Sequence, residues 1–125
     1  MDRAEFINRL KIAGFDDTEY VVTAGGAMLL HGIRHTTRDI DLSCSAKLAD
    51  ELESRGFKTS TLENGRRRIE LAEDFEIYEE SSLPEFVVID DIPTMTIDAI
   101  IAMKKRLGRE KDFRDLELIE KQLTR

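Results

Sequence analysis

A single cysteine, Cys44, stands in this chain of 125 residues, so no intrachain disulfide and no multi-cysteine zinc site can form. No stretch approaches the roughly 20 consecutive apolar residues that a membrane-spanning helix needs. The first ten residues carry Asp2 and Glu5 and lack a long apolar run, so they do not read as a signal peptide. Positive charge is also in deficit. The net charge is −7, and a chain this acidic is not a general nucleic-acid binder, because phosphate contacts drive that affinity. Repeats, low-complexity tracts and linkers are missing as well. Together these absences predict a cytoplasmic protein with no membrane partner.

What is present suits one domain over residues 1–125. Hydrophobic residues make up 41% and charged residues 36%, enough for one core beneath a heavily ionised surface. Phe6, Ile7, Leu10 and Ala13 fall near helical spacing, and Gly14 is a natural stop. Residues 20–23 (YVVT) read as a short strand broken at Ala24-Gly25-Gly26, and 27–33 (AMLLHGI) as a short helix. Residues 38–44 (RDIDLSC) alternate polar and apolar like a second strand. Ser45 is placed to cap a helix reaching about Arg55, with Gly56 as its stop. Asn64-Gly65 predicts a tight hairpin turn between 57–62 and 66–72. Residues 75–78 and 86–89 are further strands, and Pro93 separates them from a helical C-terminal third. There Thr96 caps a helix holding Ile97, Ile100, Ile101 and Leu107. Gly108 interrupts, and a last helix holds Phe113, Leu116, Ile119 and Leu123. The order predicts a mixed α/β or α+β layer fold.

The chemistry concentrates in Asp39-Ile40-Asp41-Leu42. Two carboxylates two residues apart on a strand share a face while Ile40 and Leu42 take the other. Their mutual repulsion is worth keeping where a divalent cation neutralises it, and magnesium prefers such hard oxygen ligands. Upstream, Gly25-Gly26 lies between a strand and a helix. Glycine lets backbone approach a ligand, and a helix N-terminus offers free N–H groups to phosphate. A phosphate seat beside a metal-binding carboxylate pair suits a nucleoside triphosphate with Mg²⁺.

The stretch 25–33 (GGAMLLHGI) followed by 37–42 (TRDIDL), with 103–123 (MKKRLGREKDFRDLELIEKQL), resembles the nucleotidyltransferase (polymerase β-like) superfamily. The likeness is nearest the branch of AbiE-type toxins and minimal nucleotidyltransferases, and covers roughly residues 20–44 and 96–120. It implies a nucleotidyltransferase-like mixed sheet flanked by helices. It also implies magnesium-dependent transfer of a nucleoside monophosphate from an NTP to an acceptor hydroxyl on a protein, tRNA or small molecule. A toxin–antitoxin partner or a homo-oligomer is a further implication. By the same resemblance Asp39, Asp41 and a third carboxylate bind metal and act in catalysis. Glu70 is the preferred third member, directly after the hairpin turn, and Glu76 is the second candidate. Gly25, Gly26, Thr37, Arg38, Lys104, Arg109 and Lys111 are implied nucleotide contacts. His35 occupies a position where relatives frequently carry arginine, which here is displaced to Arg34. A catalytically inactive module that works through a protein partner is the alternative reading.

Plainer roles stand beside these. His31 reads as a buried helix histidine with a local hydrogen bond, and Cys44 as a small core residue. Arg66 and Arg68 share a strand face with Glu70 and suit either a solvated edge or a phosphate contact. Asp112 and Asp115 lie one helical turn apart and suit surface pairing with Arg109 and Lys111.

Overall fold

The computed structural model describes residues 1–124. Five helices accompany one mixed seven-stranded sheet among the described residues, which is the α+β architecture the sequence predicts. The elements run α1 (Arg3–Ala13), β1 (Tyr20–Val22), α2 (Ala24–Leu30), β2 (Ile40–Cys44), α3 (Ala46–Ser54), β3 (Lys58–Thr61), β4 (Arg67–Ala72), β5 (Phe75–Glu79), β6 (Phe86–Ile89), β7 (Ile92–Met95), α4 (Ile97–Leu107) and α5 (Glu110–Leu123). Across the sheet the order is β3-β4-β5-β2-β1-β7-β6. β1–β7 and β2–β5 are parallel, and every other neighbouring pair is antiparallel.

Local chemistry accounts for most boundaries. The Ser45 hydroxyl accepts from the Leu48 N–H and the Thr96 hydroxyl from the Ala99 N–H, so both act as the N-caps their sequence positions suggest. The central strands are buried because the sheet is covered. Val21, Val22, Ile40, Leu42, Ile69 and Ile77 are all inaccessible and share one core with Phe6, Met28, Leu52, Ile100 and Ile119. At roughly 1.5–3 kcal/mol for each fully buried large apolar side chain, this shared burial is the main stabilising contribution.

Three expectations are corrected. The helix after β1 starts at Ala24, so both glycines sit inside its first turn instead of ahead of it. The Asn64-Gly65 hairpin is not a two-residue turn. Leu62 donates to the Arg66 carbonyl at 2.8 Å, and Gly65 takes positive φ (83°), as in a three-residue loop closing with a bulge. Residues 92–95 form β7, although Pro93 argues for a break. Pro93 lacks an N–H, but its strand meets β1 in register only at Val22 opposite Thr94, so little of the ladder is forfeited.

The β6–β7 connection is a two-residue turn, Asp90-Asp91, with φ of 51° and 64°. Positive φ at both central positions is the geometry that asparagine and glycine satisfy best. We expect Asp91→Gly to stabilise the fold by roughly 0.5–1 kcal/mol through relief of left-handed backbone strain. A raised urea midpoint at unchanged slope would verify it, and an unchanged or lowered midpoint would count against the strain.

Candidate functional site

Asp41 and the β1–α2 turn are joined directly. β1 and β2 pair with Val22 opposite Leu42, which brings Thr23 beside Asp41. The Thr23 N–H donates to the Asp41 carbonyl at 3.0 Å and the Thr23 hydroxyl donates to the same oxygen at 3.2 Å. Ala24, the next residue, has φ of +56°. This left-handed conformation falls on the alanine and not on either following glycine, and it is strained for a side chain with a Cβ.

The strand alternation then sorts the side chains. Ile40, Leu42 and Cys44 go into the core, while Asp41 and Ser43 face a cleft of about 1560 Å³. On the parallel neighbour β5, Asp41 stands opposite Glu76, and Glu76 and Tyr78 face the same cleft. Asp39, just before β2, also lines it. A small side pocket of about 100 Å³ lies between Asp39, Asp41, Glu73, Asp74 and Glu76. Its lining is wholly acidic, although Asp74 is held by Arg9 in a two-pronged ion pair (2.6 and 2.8 Å). The Asp41 carboxyl is pushed above the ordinary carboxylate range by burial and by the negative charges of Asp39 and Glu76, with Lys111 and Lys104 opposing.

The carboxylate beside Asp41 on the neighbouring strand is Glu76, not Glu70; Glu80, Glu85 and Asp115 also line the cleft. Glu70 is on β4, one strand further out and opposite Glu76, where it lies 3.4 Å from Arg68 and 3.7 Å from Lys58 and lines neither cavity. The hairpin position that favours Glu70 in sequence does not reveal that β5, not β4, is the neighbour of β2. Glu76 is not idle: Arg68 grips its carboxylate, and the Tyr78 hydroxyl donates to it at 2.6 Å. Arg68 first and Tyr78 second hold the Glu76 carboxyl below its usual range.

The two glycines separate in role. Gly25 lines the cleft, and a Cβ there would come within 3.0 Å of both the Arg34 guanidinium and the Thr37 hydroxyl. Gly26 is buried outside the cleft, where a Cβ would sit 2.5 Å from the Phe6 ring. Its expected phosphate contact is therefore corrected to close packing of α1 on α2. Thr37 is buried with its hydroxyl 3.3 Å from the Asp39 carbonyl, and Arg38 is exposed on the cleft wall.

The C-terminal basic residues also divide. Lys104 is 5% exposed and lies 2.8 Å from Asp115 and 3.4 Å from Asp112. Arg109 reaches Asp112 at 2.7 Å, and Arg34 pairs with Asp115. This cluster joins α4, α5 and the α2–β2 connection around Asp112, which is inaccessible. Asp112 and Asp115 are thus buried partners of Lys104, not surface partners of Lys111. By contrast, Arg38, Arg106 and Lys111 line the cleft without an ion-pair partner among the described residues.

Two remaining basic residues, Arg66 and Arg67, are consumed by sheet-surface pairs: Arg66 with Glu80, and Arg67 with Glu79, Glu53 and Asp50. His31, the half-buried C-cap of α2, donates from Nε2 to the Met95 carbonyl on β7 at 2.8 Å, so its bond is a tertiary contact and not the local helix bond expected.

Magnesium is compatible with the donor set. Among the described residues no three His, Cys, Asp or Glu side chains form a ready-made metal cage. Magnesium is ordinarily held through one or two carboxylates, with waters and substrate phosphates completing the octahedron. Asp39 and Asp41, repelling one another beside an acidic pocket, meet that requirement.

The ionic cluster generates a stability prediction. Asp112 is held well below the usual carboxylate range by its bond from Arg109, against an opposing burial effect, with Lys104 adding to the depression. Asp115 is also depressed: burial would raise it, but Lys104 and Arg34 outweigh burial. A carboxylate depressed in the folded state stabilises above its unfolded value near pH 4 and loses that contribution as pH falls through the folded value. Asp112→Ala should cost about 3 kcal/mol at neutral pH because it strips a buried cation of a partner. Urea titrations at pH 7 and pH 3 should show the wild type converging on the variant in acid; a constant gap would refute the linkage. Comparison of the chain with family models, with curated proteins and with solved structures yields no match.

Proposed function

We propose that this chain is a magnesium-dependent nucleotidyltransferase that moves a nucleoside monophosphate from an NTP to an acceptor hydroxyl. The observation that carries the reading is the contrast within one cleft. Asp39, Asp41 and Glu76 face it from the sheet, while the unpaired Arg38, Arg106 and Lys111 line its walls beside the Thr23–Gly25 backbone. An anionic substrate that arrives with a divalent cation satisfies both sets of charges; Glu76 alone among these groups has an ion-pair partner within the described residues, Arg68. The resemblance in residues 25–42 points to the same chemistry, as does the register that sets Asp41 opposite Glu76.

Asp39 and Asp41 hold the metal in this reading. Bound magnesium supplies charge neutralisation to the triphosphate and acidifies the acceptor hydroxyl. The acceptor oxygen forms a bond to the α-phosphorus while the bond from that phosphorus to the bridging oxygen breaks, and pyrophosphate leaves with the electron pair. We assign the hydroxyl proton to Glu76, whose release from Arg68 would accompany substrate entry. Arg38 and Lys111 contact the phosphates, and Lys104 and Arg109 support the wall that carries Lys111. The acceptor is a protein, a tRNA or a small molecule, and a cytoplasmic toxin–antitoxin pair is one setting for such an enzyme.

A second reading, nucleotide binding without transfer, draws on one observation: Arg68 and Tyr78 already occupy Glu76. Incubation with labelled NTPs, magnesium and cell extract separates the two. Transfer that drops at least about 100-fold in Asp39→Ala and Asp41→Ala supports the enzyme. Magnesium-dependent NTP binding without any transfer supports the module, and no binding at all rejects both.

Asp41 offers a check that needs no acceptor. Its carboxyl is raised in the folded state, so ionised Asp41 weakens the fold at neutral pH, and the weakening fades as pH falls. Without divalent cations, Asp41→Asn should melt at a higher temperature than wild type. Added magnesium should stabilise wild type and leave the variant unmoved.

A further inference from the structure

The two edges of the sheet are built differently. β3 ends one side with Lys58-Thr59-Ser60-Thr61, a polar strand that is poor at recruiting another. β6 ends the other with Phe86-Val87-Val88-Ile89, four consecutive apolar residues. Phe86 is 49% exposed, Val87 42% and Val88 64%. Successive side chains on a strand point to opposite faces, so Phe86 and Val88 are open on one face and Val87 on the other. A helix laid on the sheet would cover only one of these faces. A strand added at the edge covers both, because it places cross-strand neighbours above and below the sheet while pairing the outer backbone groups.

Charge restricts the occupant. Glu85 precedes β6, and Asp90 and Asp91 follow it. Asp90 is compensated by Arg3 at 2.6 Å, but Glu85 and Asp91 have no ion-pair partner among the described residues. A second copy of the chain fits poorly. In the antiparallel two-fold register that matches all four apolar residues, Glu85 of each copy faces Asp90 of the other. Like charges directly opposite one another are destabilising, and two chains of net charge −7 add long-range repulsion.

We propose that β6 is a docking edge for an extended segment of a different protein, apolar over about four residues and flanked by lysine or arginine. The segment adds antiparallel or parallel to β6, its apolar side chains cover Phe86, Val87 and Val88, and its basic flanks meet Glu85 and Asp91. Two strands, β1 and β7, lie between β6 and β2, and of the docking residues only Glu85 also lines the carboxylate cleft, so the proposal stands whether or not the cleft transfers nucleotides.

Two synthetic peptides test it on the whole chain, each with the same Val/Ile core, one flanked by lysine pairs and one by glutamate pairs. Fluorescence anisotropy should give the lysine-flanked peptide at least about tenfold tighter binding, the sum expected of two or more opposite-charge cross-strand pairs. Hydrogen exchange should slow at residues 86–89 on binding. Val87→Ser/Val88→Ser, at positions exposed enough to leave the fold intact, should abolish binding of both peptides. Glu85→Gln/Asp91→Asn should keep binding and erase the preference. Equal binding of the two peptides, slowing confined to other residues, or a concentration-dependent dimer that protects β6 in the chain alone would each overturn the proposal.

Discussion

Two hydrogen bonds from Thr23 to one carbonyl oxygen, that of Asp41, fix the centre of this molecule. They continue the β1–β2 pairing one residue past the strand and convert it into the start of α2. Everything that faces the cleft is measured from there. Asp41 is held to the sheet by its own backbone, and the strand register sets it opposite Glu76 and beside Asp39 around one acidic pocket. The raised carboxyl of Asp41 is the result: burial and neighbouring negative charge that Lys111 and Lys104 only partly offset. Natural sequences depart from local consistency mainly where function requires it. The strained Ala24 and the frustrated Asp41 sit within a few residues' reach of that single carbonyl.

The fold divides its ionic groups by purpose. Arg67 ties α3 to the sheet surface: its pair with Glu79 is largely covered, whereas Glu53 and Asp50 are exposed partners of the kind that contribute little to stability. Lys104 with Asp112 and Asp115 is buried, and there the cost of losing one partner is large. The cations left without partners on the cleft wall form a third group. They are the part of the charge pattern that folding alone does not explain.

Much of this was legible in the sequence, and the failures have physical causes. Alternation through Asp39-Ile40-Asp41-Leu42 was enough to put Asp41 on the face opposite Ile40 and Leu42. Ser45 and Thr96 announced their helices because a hydroxyl before an apolar-periodic run has few other uses. The sequence favours Glu70 over Glu76 because a linear chain does not state which strand lies beside β2. That depends on β5 returning parallel to β2 after a hairpin. Gly26 resembled its neighbour Gly25 but answers to Phe6, a contact made across nineteen intervening residues. Lys104 reads as a nucleotide contact because helical spacing does not show that α5 folds back to bury it. β7 was hidden by Pro93, whose veto on strands holds only where a neighbour demands its missing N–H.

The contact between Phe6 and Gly26 has a further consequence when set beside the Lys104 cluster. The α1–α2 packing behind one wall of the cleft is set by steric contact, with carbon against carbon. Among the described residues only the Arg34–Asp115 pair ties that side to an ionised carboxylate of α5. The facing wall of α4 and α5 is positioned by ionised carboxylates. Acid therefore acts on the two walls unequally, leaving the first in place while the second loses what secures it. The cleft is hinged in composition even though no part of its backbone need be a hinge.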